Sequence, residues 1–415
     1  MTLMKLYDIA VIGGGAAGSM AAIRAGQGGK RVVLIERNDS LGKKIMITGK
    51  GRCNLTNTAS VDVFIKKFGS GGEFLRSAFH SFFNEDLMGF FRSKGLELKA
   101  ERQGRVFPVT DKARSVVHIL EEYLKESRVD VLYDTRIVDI ERKDNRFTVV
   151  SDDNRRVETD KVIIATGGVS YKATGSTGDG FVIAKRLGHT ITPLRPALVP
   201  LRTKERWVKE LQGLVLKNVR IVFYCGNKKL NSDIGEAMFT HFGISGPLIL
   251  DMSGDVVSAL EKHKEIRLAI DLKPGLIREH LEKKLVNAFA VRGTIQIKKW
   301  MQDILPKKLI PIFLSVADIA PEKRTNQITK EERRTLIDML KAFPMTITGS
   351  LPIEEAMVTG GGVSMREINP RTMESNVVPG VFFAGEAIGG VAPSGGYNLQ
   401  QAFSTGYLAG KSAAA

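Results

Sequence analysis

The chain has 415 residues, more than a single hydrophobic core fills, so two or more structural units are expected. Its composition, 43% hydrophobic and 26% charged, is ordinary for a globular protein and excludes a fibrous or disordered chain. The formal net charge of +16 favours anionic partners, and two cysteines without CxxC or histidine-ligand spacing exclude a disulfide framework, a dithiol redox pair and a structural zinc site.

Residues 7–12, YDIAVI, form a short apolar run typical of a buried parallel strand. It breaks at once into the glycine-rich GGGAAG of 13–18, so it is neither a signal peptide nor a membrane span. No stretch approaches the ~18 apolar residues that a spanning helix needs, and a cytoplasmic protein in a reducing compartment is expected. Helical spacing follows up to Gly28-Gly29, and a second apolar run, RVVLI at 31–35, ends on Glu36. This is G-x-G-x-x-G between strand and helix with an acid about 20 residues on, the pattern of a dinucleotide site. Gly13 permits the tight turn, Gly15 lets backbone approach a pyrophosphate, and Gly18 lets the helix pack closely. Glu36 can accept both ribose hydroxyls, and its charge disfavours a 2′-phosphate.

Further along, residues 136–140, with Ile137, read as a strand beside the adenine. Residues 157–165 read as a strand whose end, Ala165, leads into Thr166, Gly167 and Gly168. Proline and basic residues cluster at 192–196. Short β-like runs follow at 219–224 and 266–270, then helical spacing from about 276 to 341. Near the end, VFFAGE at 381–386 is an apolar strand closing on Gly385-Glu386. GGVAPSGG at 389–396 then leads into a helix from about 397 to 409. An acid at the strand end can bond a ribitol hydroxyl. The helix N-terminus behind it can face a flavin's pyrimidine edge, which becomes negative on reduction. FAD is therefore the expected cofactor.

Taken together these blocks resemble the BaiN-type bacterial NAD(P)/FAD-dependent oxidoreductases, distant relatives of the glutathione reductase and fumarate reductase flavin folds. The matching stretches are residues 13–18, GKGRCNLTN at 49–57, GRVFP at 104–108, 165–168, FTHFGISGP at 239–247, TGGGV at 359–363, and 384–406 with GGYNLQ at 395–400. The resemblance implies an α/β fold: a Rossmann-like FAD-binding domain in two segments, 1–190 and 350–415. An inserted substrate-side domain at 191–349 is β-rich, with a helical excursion. It also implies binding residues: Gly13, Gly15, Ala16, Ala17 and Gly18 at the pyrophosphate, and Glu36 and Arg37 at the adenosine ribose. Lys43 and Lys44 would meet phosphate. Gly51, Arg52, Cys53, Asn54 and Thr56 would lie near the isoalloxazine, and Gly385, Glu386, Asn398 and Leu399 on the ribitol and pyrimidine side. The activity implied is NAD(P)H-driven hydride transfer through the flavin to a C=C bond conjugated to a ketone.

Three residues are candidates for chemistry. Cys53 could be a nucleophile if Lys50 and Arg52 lower its pKa, against packing as a small apolar residue beside the flavin. His241 could donate a proton, against a structural histidine. Arg105 could polarise a substrate carbonyl, against an ion pair elsewhere; Tyr171 and Tyr397 are further donors. No metal site is expected. A single G-x-G-x-x-G unit provides no separate nicotinamide domain, so NADH or NADPH would reach the flavin through the substrate's own face. The basic residues are scattered, and 298–308 with Trp300 read as a solvated helix face, so a small-molecule substrate is expected and nucleic acid is not. The alternatives are an FAD-dependent RNA-modifying enzyme, motivated by the charge, and a non-enzymatic flavin redox sensor.

Overall fold

A computed structural model describes residues 6–291 and 293–415. The chain divides into two compact units: one runs up to Ala197 and resumes over Ile353–Ala415, the other is Leu198–Pro352.

In the first unit, β1 (Leu6–Ile12) is buried on both faces because nearly every residue is apolar. It lies between β2 (Val32–Ile35) and the strand Arg156–Ile164, parallel to both. Asp130–Leu132 extends the parallel edge beyond β2. On the other side, Arg156–Ile164 pairs through its first half with the antiparallel meander Arg146–Ser151 and Ile137–Lys143. Its second half pairs in parallel with Val381–Phe383. The last strand of the chain is thereby threaded into the sheet built by the first.

Between β1 and β2 runs α1 (Ala16–Gln27). The C-terminal helix Tyr397–Ala414 packs along it at backbone distance. Gly406 and Gly410 make this approach possible, since a Cβ at either would stand 2.2–2.3 Å from the carbonyl oxygen of Ala17 or Ala21. The strand Ile191–Ala197 pairs with Val358–Val363 in this unit. The boundary therefore falls after 197, not at the expected 190, because a two-strand ladder ties 191–197 to the returning segment.

In the second unit, six antiparallel strands close into a ring. In spatial order they are Val215–Cys225, Gly235–Phe239, Gly243–Ser245, Leu201–Thr203, Phe343–Ser350 and Ile266–Asp271, which pairs back to Val215–Cys225. Lys228–Asn231 adds a hairpin strand to the far end of Val215–Cys225. Alternating residues such as Ile221, Phe223, Leu268, Ile270, Phe343 and Met345 fill the interior. The chain leaves the ring after Asp271, forms the helices Arg278–Val291, Ile310–Val316 and Lys330–Lys341, and returns as Phe343–Ser350. Helical spacing over 276–341 thus corresponds to an excursion between two neighbouring strands.

Candidate functional site

The loop after β1 is shaped by three glycines with separate tasks. Gly13 has φ +102°, and a Cβ there would lie 2.6 Å from the Ala165 carbonyl oxygen. A Cβ on Gly18 would lie 1.8 Å from the Gly13 carbonyl oxygen, so α1 reaches the loop only because that side chain is missing. Gly15, the residue before α1, is different: a Cβ would meet nothing within 4 Å. Open space therefore stands at the helix N-terminus, where unpaired N–H groups and the positive dipole end are directed. Ala16 and Ala17 form the first turn and are buried.

Glu36 closes this end of the sheet. It is 6% exposed. One carboxylate oxygen accepts the Gly14 N–H at 2.6 Å, and the other accepts the Asn38 backbone N–H at 2.9 Å and its side-chain amide at 2.6 Å. A carboxylate has about four acceptor sites, so three bonds leave room for one further hydroxyl, not the two expected. The Glu36 carbonyl accepts the Thr135 N–H, which brings the start of the Ile137 strand beside it. Arg37 turns away to Asp179 (3.1 Å), which also holds Arg136. The Arg136 guanidinium, more than any other group, keeps the Asp179 carboxyl below the usual carboxylate range. Its contribution to holding the loop 175–179 is therefore complete above the ordinary carboxylate pKa of about 3.9, and is lost as pH falls through the lowered value.

The C-terminal segment meets the same place. A Cβ on Gly385 would lie 2.7 Å from that of Ala17, and the Gly385 N–H donates to Thr405 Oγ1 at 2.9 Å. Glu386 sits in a polar cluster. Lys44 Nζ reaches one of its oxygens at 3.0 Å, while Ser170 Oγ (3.1 Å) and the Thr359 N–H (2.8 Å) donate to the other. Lys44 also donates to Ser170 Oγ. Lys44 was expected at a phosphate but is committed to Glu386, and Lys43 pairs with exposed Asp39. Thr359 opens the TGGGV block and Ser170 lies in no singled-out stretch, and neither points along the sequence to Glu386, because nothing in a lone serine or threonine indicates a carboxylate that is distant in the chain.

Around residues 51–57 the backbone is bound to the other end of the chain. Gly51 has φ +84°. Arg52 stacks on Phe107 at 4.0 Å and pairs with Glu101 at 2.9 Å. Asn54, with its amide oriented to satisfy its neighbours, accepts the Gly396 N–H at 3.0 Å. Thr56 Oγ1 donates to Gln400 Oε1 at 2.6 Å. Asn398 is occupied by its own loop, accepting the Ala392 N–H and donating to the Ala392 carbonyl, and Leu399 packs on the core. Ala165 donates its N–H to Ile12, Gly167 has φ +73°, and Thr166 Oγ1 is buried without a partner among the described residues.

The candidates for chemistry fare differently. Cys53 is fully buried, and burial pushes its thiol up to about 12, a shift that a Thr48 hydrogen bond only partly opposes. The thiolate needed for nucleophilic work is absent at neutral pH; Arg52, expected to lower the pKa, is spent on Glu101 and Phe107. Cys53→Ala is expected to keep turnover within about twofold, and a thiol reagent to label Cys53 only after unfolding. Rapid labelling of the native protein at this position would reverse that conclusion. Arg105 is half-buried, its Nε donating to the Arg102 carbonyl. His241 lies in the second unit, exposed on the turn between Gly235–Phe239 and Gly243–Ser245, with its ring edge-on to Phe242. Tyr171 adopts φ +52°, and Tyr397 is buried edge-on against Phe64. Among the described residues no cluster of His, Cys, Asp or Glu could hold a metal ion, and no helix is long and apolar enough to cross a membrane.

Two features fit FAD. One is the open space at Gly15. The other is the Gln401 side-chain amide, 3% exposed, whose Nε2 donor has no acceptor among the described residues, beside Gly390. A dinucleotide loop joined to a returning Gly–Glu strand and helix defines an FAD-dependent oxidoreductase.

Residues 7–412 match the HI0933-like protein Rossmann domain, and the chain belongs to that family. It is 34% identical over 408 residues, 98% of each chain, to the 3-dehydro-bile acid delta(4,6)-reductase of Clostridium scindens. It is 29% identical over 413 residues, 97% of each chain, to the ribosomal RNA dihydrouridine synthase of Escherichia coli. The fold is shared with a flavocytochrome c3 fumarate reductase in its open conformation, with TM-score 0.52 and 18% identity over 99% of this chain and 78% of that one.

Proposed function

We propose that the protein reduces a C=C bond conjugated to a carbonyl on a small ring compound, with NADH or NADPH as electron source. The observation that carries this reading is the full-length likeness to the bile acid delta(4,6)-reductase, joined to the single dinucleotide loop of the first unit. Gly13, Gly15, Ala16, Ala17 and Gly18 would hold the pyrophosphate, Glu36 one ribose hydroxyl, and Glu386 a ribityl hydroxyl. Residues 51–56 and the segment ahead of the C-terminal helix would border the ring system. When bound, FAD supplies the two-electron chemistry. The chain's part is to orient it, to place the N-terminus of helix Tyr397–Ala414 where negative charge develops, and to supply a proton to the substrate carbon next to the carbonyl. We assign the proton to His241 and carbonyl polarisation to Arg105.

The test is anaerobic. One nicotinamide nucleotide is expected to bleach the bound flavin rapidly, and a cyclic enone to restore its colour. A flavin that stays oxidised with both nucleotides removes the donor assignment. His241→Asn is expected to slow enone-driven reoxidation by about 10²–10⁴-fold without slowing bleaching. Equal rates in the variant would leave His241 a structural residue.

A second reading is favoured by charge. Uracil also carries a C=C bond conjugated to a carbonyl, and the net charge of +16 suits a polyanion. Its concentration is uneven: Leu198–Pro352 has 26 Lys and Arg against 17 Asp and Glu, a surplus of +9 in the smaller unit.

A further inference from the structure

Nothing along the sequence sets Tyr224 apart as part of a basic cluster, but the ring of strands in the second unit assembles one around it. On Val215–Cys225, residues Ile221, Phe223 and Cys225 point inward, so Tyr224 stands on the outer face. Its register partner on one side is Lys229 and on the other Arg267. Arg267 is in turn opposite Thr346, so one row of side chains crosses four strands as Lys229, Tyr224, Arg267 and Thr346. The Arg267 guanidinium lies 4.0 Å from the Tyr224 ring centroid and the Lys229 ammonium 5.4 Å. Arg267 and Lys229 are both exposed, and neither forms an ion pair among the described residues.

More charge borders the row. Lys228 precedes Lys229 on the hairpin strand, and the turn before Ile266–Asp271 carries Lys262, His263 and Lys264. That turn abuts the hairpin, for a Cβ on Gly226 would touch the His263 ring at 2.9 Å. Three of the acids in this part of the unit are engaged elsewhere: Glu265 with Lys204 at 2.9 Å, Asp271 with Lys341 at 2.7 Å, and Glu261 with a partner of its own.

We propose that this outer face is a binding platform for single-stranded RNA. A guanidinium held 4.0 Å over a tyrosine ring offers a cation and a planar surface to a base, while the flanking lysines suit the phosphates on either side. A row of this kind binds without reading sequence, since every base has a π-face. The platform would serve the second reading above, but it is tested without the flavin chemistry, so the two can fail separately.

The experiment is fluorescence anisotropy of a labelled 12-nucleotide polyuridine with the flavin-loaded protein, titrated at several salt concentrations. Binding is expected at 50 mM salt and to weaken steeply toward 200 mM. Lys229→Glu combined with Arg267→Glu is expected to weaken it at least tenfold and to flatten the salt slope by about 0.7 for each phosphate that is no longer neutralised. Tyr224→Leu, which keeps an apolar side chain on the face, is expected to weaken binding about tenfold with the slope unchanged. Reversing Lys66 and Lys67, exposed in the first unit, changes the net charge equally and is expected to leave binding intact. An unchanged far-UV circular dichroism spectrum and thermal melt, which report on the second unit as well as the first, show that each variant is folded. The proposal is overturned by no binding at 50 mM salt, by equal losses from the Lys66/Lys67 reversal, or by platform variants that bind as the parent does. It is overturned too by capture on phosphatidylserine vesicles with no RNA bound.

Discussion

Gly18→Ala is expected to destabilise the first unit by about 3 kcal/mol, at the upper end of overpacking costs, whereas Gly15→Val is expected to leave its stability within about 0.5 kcal/mol of the parent. A methyl on Gly18 meets a backbone carbonyl at 1.8 Å, and no rotamer can relieve the contact. The loop or α1 must move, although the Gly13 N–H is bonded to the Ile35 carbonyl at 2.8 Å. At Gly15 there is nothing to meet, so the added side chain occupies only the space in front of the helix. The two variants therefore separate folding from cofactor binding. By thermal melting, Gly18→Ala should lose roughly 6–12 °C at about 2–4 °C per kcal/mol. By flavin titration of the apoprotein, Gly15→Val should weaken FAD binding at least 100-fold while melting normally without flavin. Full flavin affinity in Gly15→Val would show that the pyrophosphate lies elsewhere.

The second large effect is expected at Glu386. Replacing it with alanine leaves the Thr359 N–H, the Ser170 hydroxyl and the Lys44 ammonium without their acceptor. Lys44 and Glu386 side chains are only 24% and 18% exposed, so water replaces the lost bonds poorly. The expected cost is about 2–4 kcal/mol. Lys44→Met should cost less, about 1–2 kcal/mol, because the carboxylate keeps two donors. In the double variant the losses should fall short of additive by about 1 kcal/mol or more, the signature of direct coupling. Denaturant melts of the four proteins measure this. Additive losses would mean that the pair carries no coupling, and that Lys44 is free to serve the phosphates as its place in the sequence suggests.

Much of the first unit was legible because its signals are local. The run 7–12, the glycine spacing, the apolar run 31–35 and Glu36 lie within thirty residues, and each glycine's task can be inferred from the turn it occupies. The strand and Gly–Glu step at 381–386 were legible for the same reason. The partners of those residues were not. Lys44 looks like a phosphate ligand from its place after the glycine loop, but its ammonium finds Glu386, 342 positions away. Asn398 looks like a flavin contact, yet its amide is consumed by Ala392. Cys53 between basic residues looks activated until burial removes its solvent and Glu101 removes Arg52.

By itself, then, the amino-acid sequence determined the dinucleotide-type βαβ start, the discontinuous α/β domain with an inserted segment, and the lack of any metal-ligand or dithiol spacing. The start and the missing spacings follow from periodicity, glycine placement and composition, which act over one or two turns of chain, whereas the discontinuous domain with its insert was implied by the resemblance of the ordered motif blocks to a known family. Only the tertiary structure decided which charges pair, which donors stay unpartnered and which scattered residues share a face. Lys229, Tyr224 and Arg267 are inconspicuous along the chain and become one row through strand register. Register is a property of pairing between distant segments, set when the ring of strands closes around its apolar interior.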